Sequence, residues 1–218
     1  MRKDKLIREQ QRIKLLEDSG ISIVQGANLI SVDIQPEYES YISFNLDSYI
    51  SFLNDSFDAL NSLTFLYNGH DTLGMVSQPE YVTWLMEQGL NEEILESSRF
   101  YDKGYAFFRY CMDEGIDEEE IVRLVKYMIE NNINDSRDID EEMWIGYMNK
   151  YGYDLSDVKD LLENADDMIN IPDLMDFLRN YSGKLVICGG GINECLKEVE
   201  IALMALDKNY SVLTKFTY

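Results

Sequence analysis

The chain has 218 residues, of which 45% are apolar and 12% aromatic. This composition supports a sizeable core and argues against disorder. Nineteen basic residues stand against 41 acidic ones, a net charge of −22, which disfavours nucleic acids and anionic membranes as partners. Three cysteines and one histidine exclude a disulfide framework and a histidine-rich metal site. No apolar run reaches the roughly 18 residues of a membrane span, and no secretory leader is recognisable at the start. We therefore expect a cytoplasmic protein.

Residues 1–26 are predicted to form a helical arm outside the core. Four aliphatic side chains give a weak stripe at helical spacing before Gly20, which is a plausible end for the helix. The arm is expected to lie on the surface or to contact a partner, and a homo-oligomer formed through it stays open as an interpretation.

A βαβ unit follows the arm. Residues 28–34 read as a short strand that Pro36 stops, residues 39–60 as an amphipathic helix, and residues 63–67 as a second strand. Such a unit predicts two parallel strands joined by a right-handed crossover.

The far end of the chain repeats this pattern. A buried strand is predicted at 184–188, then a glycine turn, then a helix that Asn193 caps and that runs to about Leu206, and then a strand at 210–215. Strands from both ends are expected to share one sheet.

Residues 27–111 and 183–218 are therefore predicted to form a doubly wound, mostly parallel α/β core with helices on both faces. Residues 112–182 between them carry twenty acidic and six basic side chains, and helical stripes follow an acidic helix start at 117–120. We interpret this segment as an acidic helical insert within the same domain.

Cys195 is the strongest candidate nucleophile. It follows a strand and the glycines 189–191, which puts it in the first turn of a helix. Unpaired N–H groups and the helix dipole stabilise a thiolate there. N–H groups of the turn that contains Gly190 and Gly191 are expected to hold an oxyanion. The alternative is that Cys195 is a small packing residue.

Asp33 is the candidate general base. It is predicted at the carboxyl end of the first strand, the edge at which parallel sheets place their sites. A carboxylate there can take a proton from a nucleophile in the neighbouring turn. The alternative is a turn acid or helix cap before Pro36.

Two stretches resemble a known family. Residues 32–35, Val-Asp-Ile-Gln, and residues 188–195, with cysteines at both ends, are similar to the two signatures of the isochorismatase-like cysteine hydrolases, which include nicotinamidases. The similarity covers well under half of the chain. It implies that family's α/β fold, with Cys195 as nucleophile and Asp33 as base.

The resemblance also implies a catalytic lysine in a stretch of the type Lys-x-x-Tyr-x-x-Phe. Lys103 opens Lys-Gly-Tyr-Ala-Phe-Phe and is the candidate, as an electrostatic assistant. An ordinary surface lysine paired with Asp102 is the alternative. Gln35, His70 and Tyr105 are weaker candidates for the substrate pocket.

The sequence departs from the family in three places. Metal-binding members use Asp-x-His and a second histidine, but here residues 68–70 read Asn-Gly-His and no other histidine exists, so neither metal nor cofactor is expected. The family's turn carries a cis peptide, for which Gly190-Gly191 is the candidate position. Glu194 beside the nucleophile is unexpected, because its charge opposes a thiolate.

Two functions follow. The first is a hydrolase that cleaves an amide-like C–N bond of a small, uncharged or cationic substrate through a thioester. The alternative is a catalytically degenerate protein of the same fold, which uses the acidic segment to bind a basic protein partner or to mimic DNA.

Overall fold

The computed structural model describes residues 21–69, 76–103, 117–133, 140–152 and 177–218. Most of the predicted arm and much of the predicted insert lie outside these residues, as do His70 and Tyr105. None of the helices within the described ranges is long and apolar enough to cross a membrane.

The described residues contain one sheet of five parallel strands, which confirms the predicted parallel α/β core. The strands are β1 (Ala27–Val32), β2 (Ser62–Tyr67), β3 (Arg99–Asp102), β4 (Lys184–Gly189) and β5 (Tyr210–Val212). Their spatial order is β3-β2-β1-β4-β5. The chain thus builds the sheet outward in one direction from β1 and in the other from β4, and the order reverses between these two strands.

Strand register brings the carboxyl ends of the central strands level. Val32 of β1 pairs with Leu66 of β2 on one side and with Gly189 of β4 on the other. Every residue of β1 is buried, as expected for a central strand of a parallel sheet covered on both faces.

The helices that accompany the sheet in the described ranges include α1 (Ile21–Val24), α2 (Leu46–Ser56), α3 (Gln78–Glu87), α4 (Glu92–Ser97), α5 (Glu118–Glu130), α6 (Glu141–Tyr151) and α7 (Cys195–Ala205). Short 3-10 turns occur at Pro36–Tyr41, Phe57–Ala59 and Thr214–Phe216. The acidic start predicted at 117–120 is present, because the side chain of Asp117 caps α5 by accepting from the N–H of Glu119.

Two predicted elements are wrong in their extent. The helix predicted over 39–60 begins only at Leu46, because the side chain of Asn45 accepts from the N–H of Ser48 and caps the helix there at 2.7 Å. The strand predicted over 210–215 ends at Val212, and a 3-10 turn follows.

The described chain falls into two compact units. The first consists of Met1–Asp102, Tyr181–Lys197 and Asn209–Tyr218, and the second of Lys103–Asn180 and Glu198–Lys208. The whole sheet belongs to the first unit. The extent of the acidic insert, 112–182, stays a prediction.

The core of the first unit includes an aromatic cluster beside the sheet. The ring of Phe216 lies 5.5 Å from that of Tyr49 and 5.1 Å from that of Phe52, both in α2. This packing holds the last residues of the chain against α2.

The second unit has its own aromatic contact. The rings of Tyr127 in α5 and Tyr147 in α6 meet edge to face at 5.3 Å. The Tyr127 hydroxyl also donates to the carbonyl of Met143 at 2.7 Å, so a hydrogen bond and a ring contact join the two helices.

Candidate functional site

Asp33 follows β1 directly and ends it. Its side chain is fully buried, and its φ of 47° lies in the left-handed region that residues other than glycine rarely adopt. Its N–H donates to the carbonyl of Leu66 at 2.8 Å, which continues the β1–β2 ladder by one bond. A buried carboxyl in a strained backbone conformation, at the carboxyl end of a central strand, is typical of a functional position.

Gln35 is held by the end of the neighbouring strand. Its Oε1 accepts from the N–H of Asn68 at 2.8 Å, and its Nε2 donates to the Asn68 carbonyl at 3.2 Å. The same nitrogen donates to Glu37 at 3.0 Å. These bonds give the buried amide of Gln35 a structural role, and the pocket role expected from the sequence stays a prediction.

Further side chains hold the strand ends on this side of the sheet. The N–H of Gly69 donates to Asp102 at the end of β3 at 3.0 Å. The Tyr81 hydroxyl donates to the carbonyl of Ile34 at 2.9 Å. These bonds fix residues that follow β1 and β2, and they tie the segment after β2 to the last residue of β3.

The turn after β4 requires glycine at two positions. Gly189 has a φ of 81°, and a Cβ there would lie 2.2 Å from the carbonyl oxygen of Val32. Gly190 has a φ of 59°, and a Cβ there would lie 2.8 Å from the nitrogen of Leu196. Both the left-handed backbone and the close approach exclude a side chain. The glycines bring the turn against the end of β1.

Cys195 is the first residue of α7 and is partly buried. The turn before it is closed by bonds from the N–H groups of Glu194 and Leu196 to the carbonyl of Gly191, at 2.9 and 3.2 Å. The helix begins two residues after Asn193, so the predicted cap position is wrong. The peptide bonds of the described residues are all trans, so the cis bond expected between Gly190 and Gly191 is absent.

Tyr218 bonds to both strand ends. Its hydroxyl donates to the carbonyl of Asp33 at 2.9 Å. Its N–H donates to the carbonyl of Gly190 at 3.1 Å, and its carbonyl accepts from the N–H of Ile192 at 2.8 Å. One residue therefore joins the end of β1 to the turn after β4.

Charge and burial distinguish the groups around this turn. Cys188 is buried in the core, and this burial raises the pKa of its thiol to about 12, so it is unreactive at neutral pH. Glu194 is exposed, and its carboxylate Oε2 would lie 3.3 Å from a Cβ at Gly191. An acidic charge thus lies beside the turn.

Lys103 belongs to the second unit, where it is fully buried and forms an ion pair with Glu198. The alternative of a surface lysine paired with Asp102 is therefore wrong. Glu198 is itself buried and lies three residues after Cys195 in α7. A buried pair of this kind is stable only while both charges are present.

Sequence reasoning missed Glu198 and Tyr218. Glu198 is one acid among many in an acidic chain, and only its buried ion pair with Lys103 distinguishes it from the others. Tyr218 bonds to Gly190 and Ile192 through its backbone, and side-chain patterns give no signal for such bonds.

Within the described ranges, no group of three or more histidine, cysteine, aspartate or glutamate side chains is arranged to hold a metal ion. The fold defines a parallel α/β protein whose strand order reverses at Asp33 and the glycine turn. No protein-family model matches the sequence, and neither the curated proteins nor the solved structures include a significant match.

Proposed function

We propose that this protein is a cysteine-dependent hydrolase of the isochorismatase-like kind, which cleaves an amide-like C–N bond of a small molecule. One observation carries the proposal. Asp33 and the turn that leads to Cys195 follow β1 and β4, the two neighbouring strands between which the strand order reverses. Open α/β sheets bind their ligands at this point, outside the carboxyl ends of the strands.

In the proposed reaction, the Cys195 thiol gives its proton to Asp33, and the thiolate attacks the carbonyl carbon of the substrate. The C–N bond breaks as Asp33 returns this proton to the leaving nitrogen, and a thioester remains. Water then attacks the thioester while Asp33 accepts a proton, the acid leaves, and the thiol is restored. The net change is the addition of one water molecule across the C–N bond.

The start of α7 supports the step in which the oxyanion forms. Helix N-termini carry a partial positive charge, and N–H groups of a preceding turn stabilise developing negative charge. We assign this role to the turn of Gly190 and Gly191, which lies between the end of β4 and the start of α7.

Lys103 is proposed as the electrostatic assistant, by the resemblance of its stretch to the family pattern. Its ion pair with Glu198 complicates any simple test, because removing one partner leaves the other charge buried, at a cost of about 3–5 kcal/mol. The informative comparison is therefore a cycle of Lys103→Met, Glu198→Gln and the double variant. We expect the double variant to regain stability without regaining activity.

The substrate class follows from the charges near the strand ends of the first unit. Glu37, Asp102 and Glu194 are carboxylates that lie in or beside the segments after β1, β2, β3 and β4. An acidic surrounding repels anions and attracts cations. We therefore expect a neutral or cationic amide.

The experiment is ammonia release from a panel of neutral, cationic and anionic amides. We expect wild-type turnover of neutral or cationic members and its loss in Cys195→Ala and Asp33→Asn. Turnover should be retained in the control Lys197→Ala, a change two residues after Cys195 in α7. Hydrolysis that survives in Cys195→Ala would exclude the thioester route.

A second candidate is a binding protein of the same fold without turnover. Two observations favour it: the N–H of Ile192 is taken by Tyr218, and the charge of Glu194 lies beside the turn. Both oppose an oxyanion there. A Cys195 that reacts with iodoacetamide no faster than free cysteine would favour this candidate, and capture experiments with basic proteins would then be the next step.

A further inference from the structure

Tyr218 is attached to the two segments that carry the candidate base and nucleophile. Its hydroxyl bonds to the Asp33 carbonyl, and its backbone pairs with Gly190 and Ile192, at 2.9, 3.1 and 2.8 Å. Each of these contacts joins parts of the chain that are far apart in sequence. A residue with these contacts can fix the distance between the segment after β1 and the turn after β4, in addition to the hydrogen bonds of the sheet.

The residues before Tyr218 are anchored, so the attachment does not depend on Tyr218 alone. Phe216 is almost fully buried among the rings of Tyr49 and Phe52. The N–H of Leu213 donates to the carbonyl of Ile187 in β4 at 2.8 Å. The end of the chain is thus held to α2 and to β4, and it presents Tyr218 to the strand ends at a defined position.

We propose that Tyr218 is a positioning residue, which sets the separation of the Asp33 carboxylate from the Cys195 thiol. This inference rests on the proposed function. The hydroxyl bond restrains the left-handed backbone of Asp33 and thereby the direction of its carboxylate. The backbone pair restrains the glycine turn and thereby the start of α7.

The two restraints can be separated by substitution. Tyr218→Phe removes the hydroxyl, and with it the bond to the Asp33 carbonyl, and keeps the ring and both backbone bonds. Tyr41→Phe is the matched control, since Tyr41 is 69% exposed. Urea unfolding of each variant shows whether it remains folded before any reactivity is compared.

The test is the rate of Cys195 alkylation by iodoacetamide as a function of pH, read by mass spectrometry. We expect Tyr218→Phe to move the midpoint of the profile to higher pH and to lower the alkylation rate at pH 7 about three- to tenfold. This factor corresponds to the free energy that one hydrogen bond contributes. Tyr41→Phe should match wild type. In an Asp33→Asn background the effect of Tyr218→Phe should vanish, because the hydroxyl acts through Asp33.

Three other outcomes overturn different claims. In the first, the alkylation profile of wild-type Cys195 has a midpoint well below that of an ordinary thiol, about 8.5, and Tyr218→Phe leaves this midpoint unchanged. The positioning role is then wrong and the hydrolase proposal stands. A wild-type midpoint at the ordinary value overturns both. An equal effect of Tyr218→Phe with and without Asp33→Asn would show a structural role only.

Discussion

Gln35 and Asn68 exchange two hydrogen bonds between a side-chain amide and a backbone peptide, at 2.8 and 3.2 Å. Both residues are fully buried, and each follows one of two neighbouring parallel strands. Beyond the last ladder bond, a buried N–H and C=O need other partners. The glutamine amide supplies both of them.

Gln35→Ala should therefore destabilise the protein by about 2–4 kcal/mol, since it leaves the Asn68 N–H and carbonyl unsatisfied in the interior. The measurement is urea unfolding followed by circular dichroism. Gln78→Ala, at an exposed position at the start of α3, is the control and should change stability by less than about 0.5 kcal/mol. Equal midpoints for the two variants would contradict the structural role of Gln35.

Gly189 and Gly26 offer a matched pair of left-handed glycines. A Cβ at Gly26 meets nothing within 4 Å, whereas one at Gly189 lies 2.2 Å from the Val32 carbonyl oxygen. Gly26→Ala should lower the free energy of unfolding by about 1–2 kcal/mol, because alanine is strained in the left-handed conformation. Gly189→Ala should cost about 3 kcal/mol or more, because the clash with β1 is added. Similar losses in thermal unfolding would show that the turn does not press against β1.

Cys188 and Cys195 should differ sharply in native reactivity. Burial raises the pKa of Cys188 to about 12, so its thiol remains protonated at pH 9, and it is inaccessible as well. We expect iodoacetamide to modify Cys195 in the native protein and Cys188 only in denaturant, with peptide mass spectrometry as the readout. Native modification of Cys188 at a comparable rate would mean that the β1–β4 region opens.

Glu194 should slow the proposed nucleophile. Its carboxylate lies beside the turn that precedes Cys195, and negative charge there disfavours the thiolate. Glu194→Gln should raise the alkylation rate of Cys195 at pH 7 about two- to threefold at low salt, and the gain should shrink at high salt because exposed charges are screened. Glu93→Gln, an exposed change in the first turn of α4, is the control. A salt-independent effect would point to a conformational cause.

The central strands were predictable because their information is local. β1, β2 and β4 are short apolar runs that end at polar or glycine turns, and their parallel pairing follows from the intervening helices. β3 was missed, since Arg99–Asp102 has charged ends and only partly buried residues between them. The start of α2 was missed as well. The apolar pattern continues on both sides of Leu46, and only the cap by Asn45 marks where the helix begins.

The candidate site was predictable only in part. Asp33 and Cys195 follow their strands, as the sequence indicates. The bond between Tyr218 and Asp33 joins residues 185 positions apart, and nothing in either local sequence signals it. The same holds for Lys103 and Glu198, which are 95 positions apart. Contacts of this kind depend on the completed fold.

Alkaline pH should destabilise the protein through its buried tyrosines. Burial raises the pKa of Tyr49 and of Tyr81 well above the usual range, and for Tyr49 it outweighs the bond to Ser31, which lowers the pKa. The Tyr81 hydroxyl also donates to the Ile34 carbonyl at 2.9 Å. The folded state therefore favours the protonated hydroxyls. Their contribution is complete below the unfolded value of about 10 and is lost as pH rises above it.

Urea unfolding from about pH 8 to pH 11 measures this effect, and the free energy of unfolding should fall with pH above about pH 10. Tyr81→Phe should be less stable than wild type near neutral pH, because the Ile34 carbonyl loses its donor, but its stability should fall less steeply above pH 10. Tyr41→Phe removes an exposed hydroxyl and should leave the slope unchanged. Identical slopes for Tyr81→Phe and wild type would show that Tyr81 ionises as easily in the folded chain as in the unfolded one, which its burial beside Phe65 and Trp84 argues against.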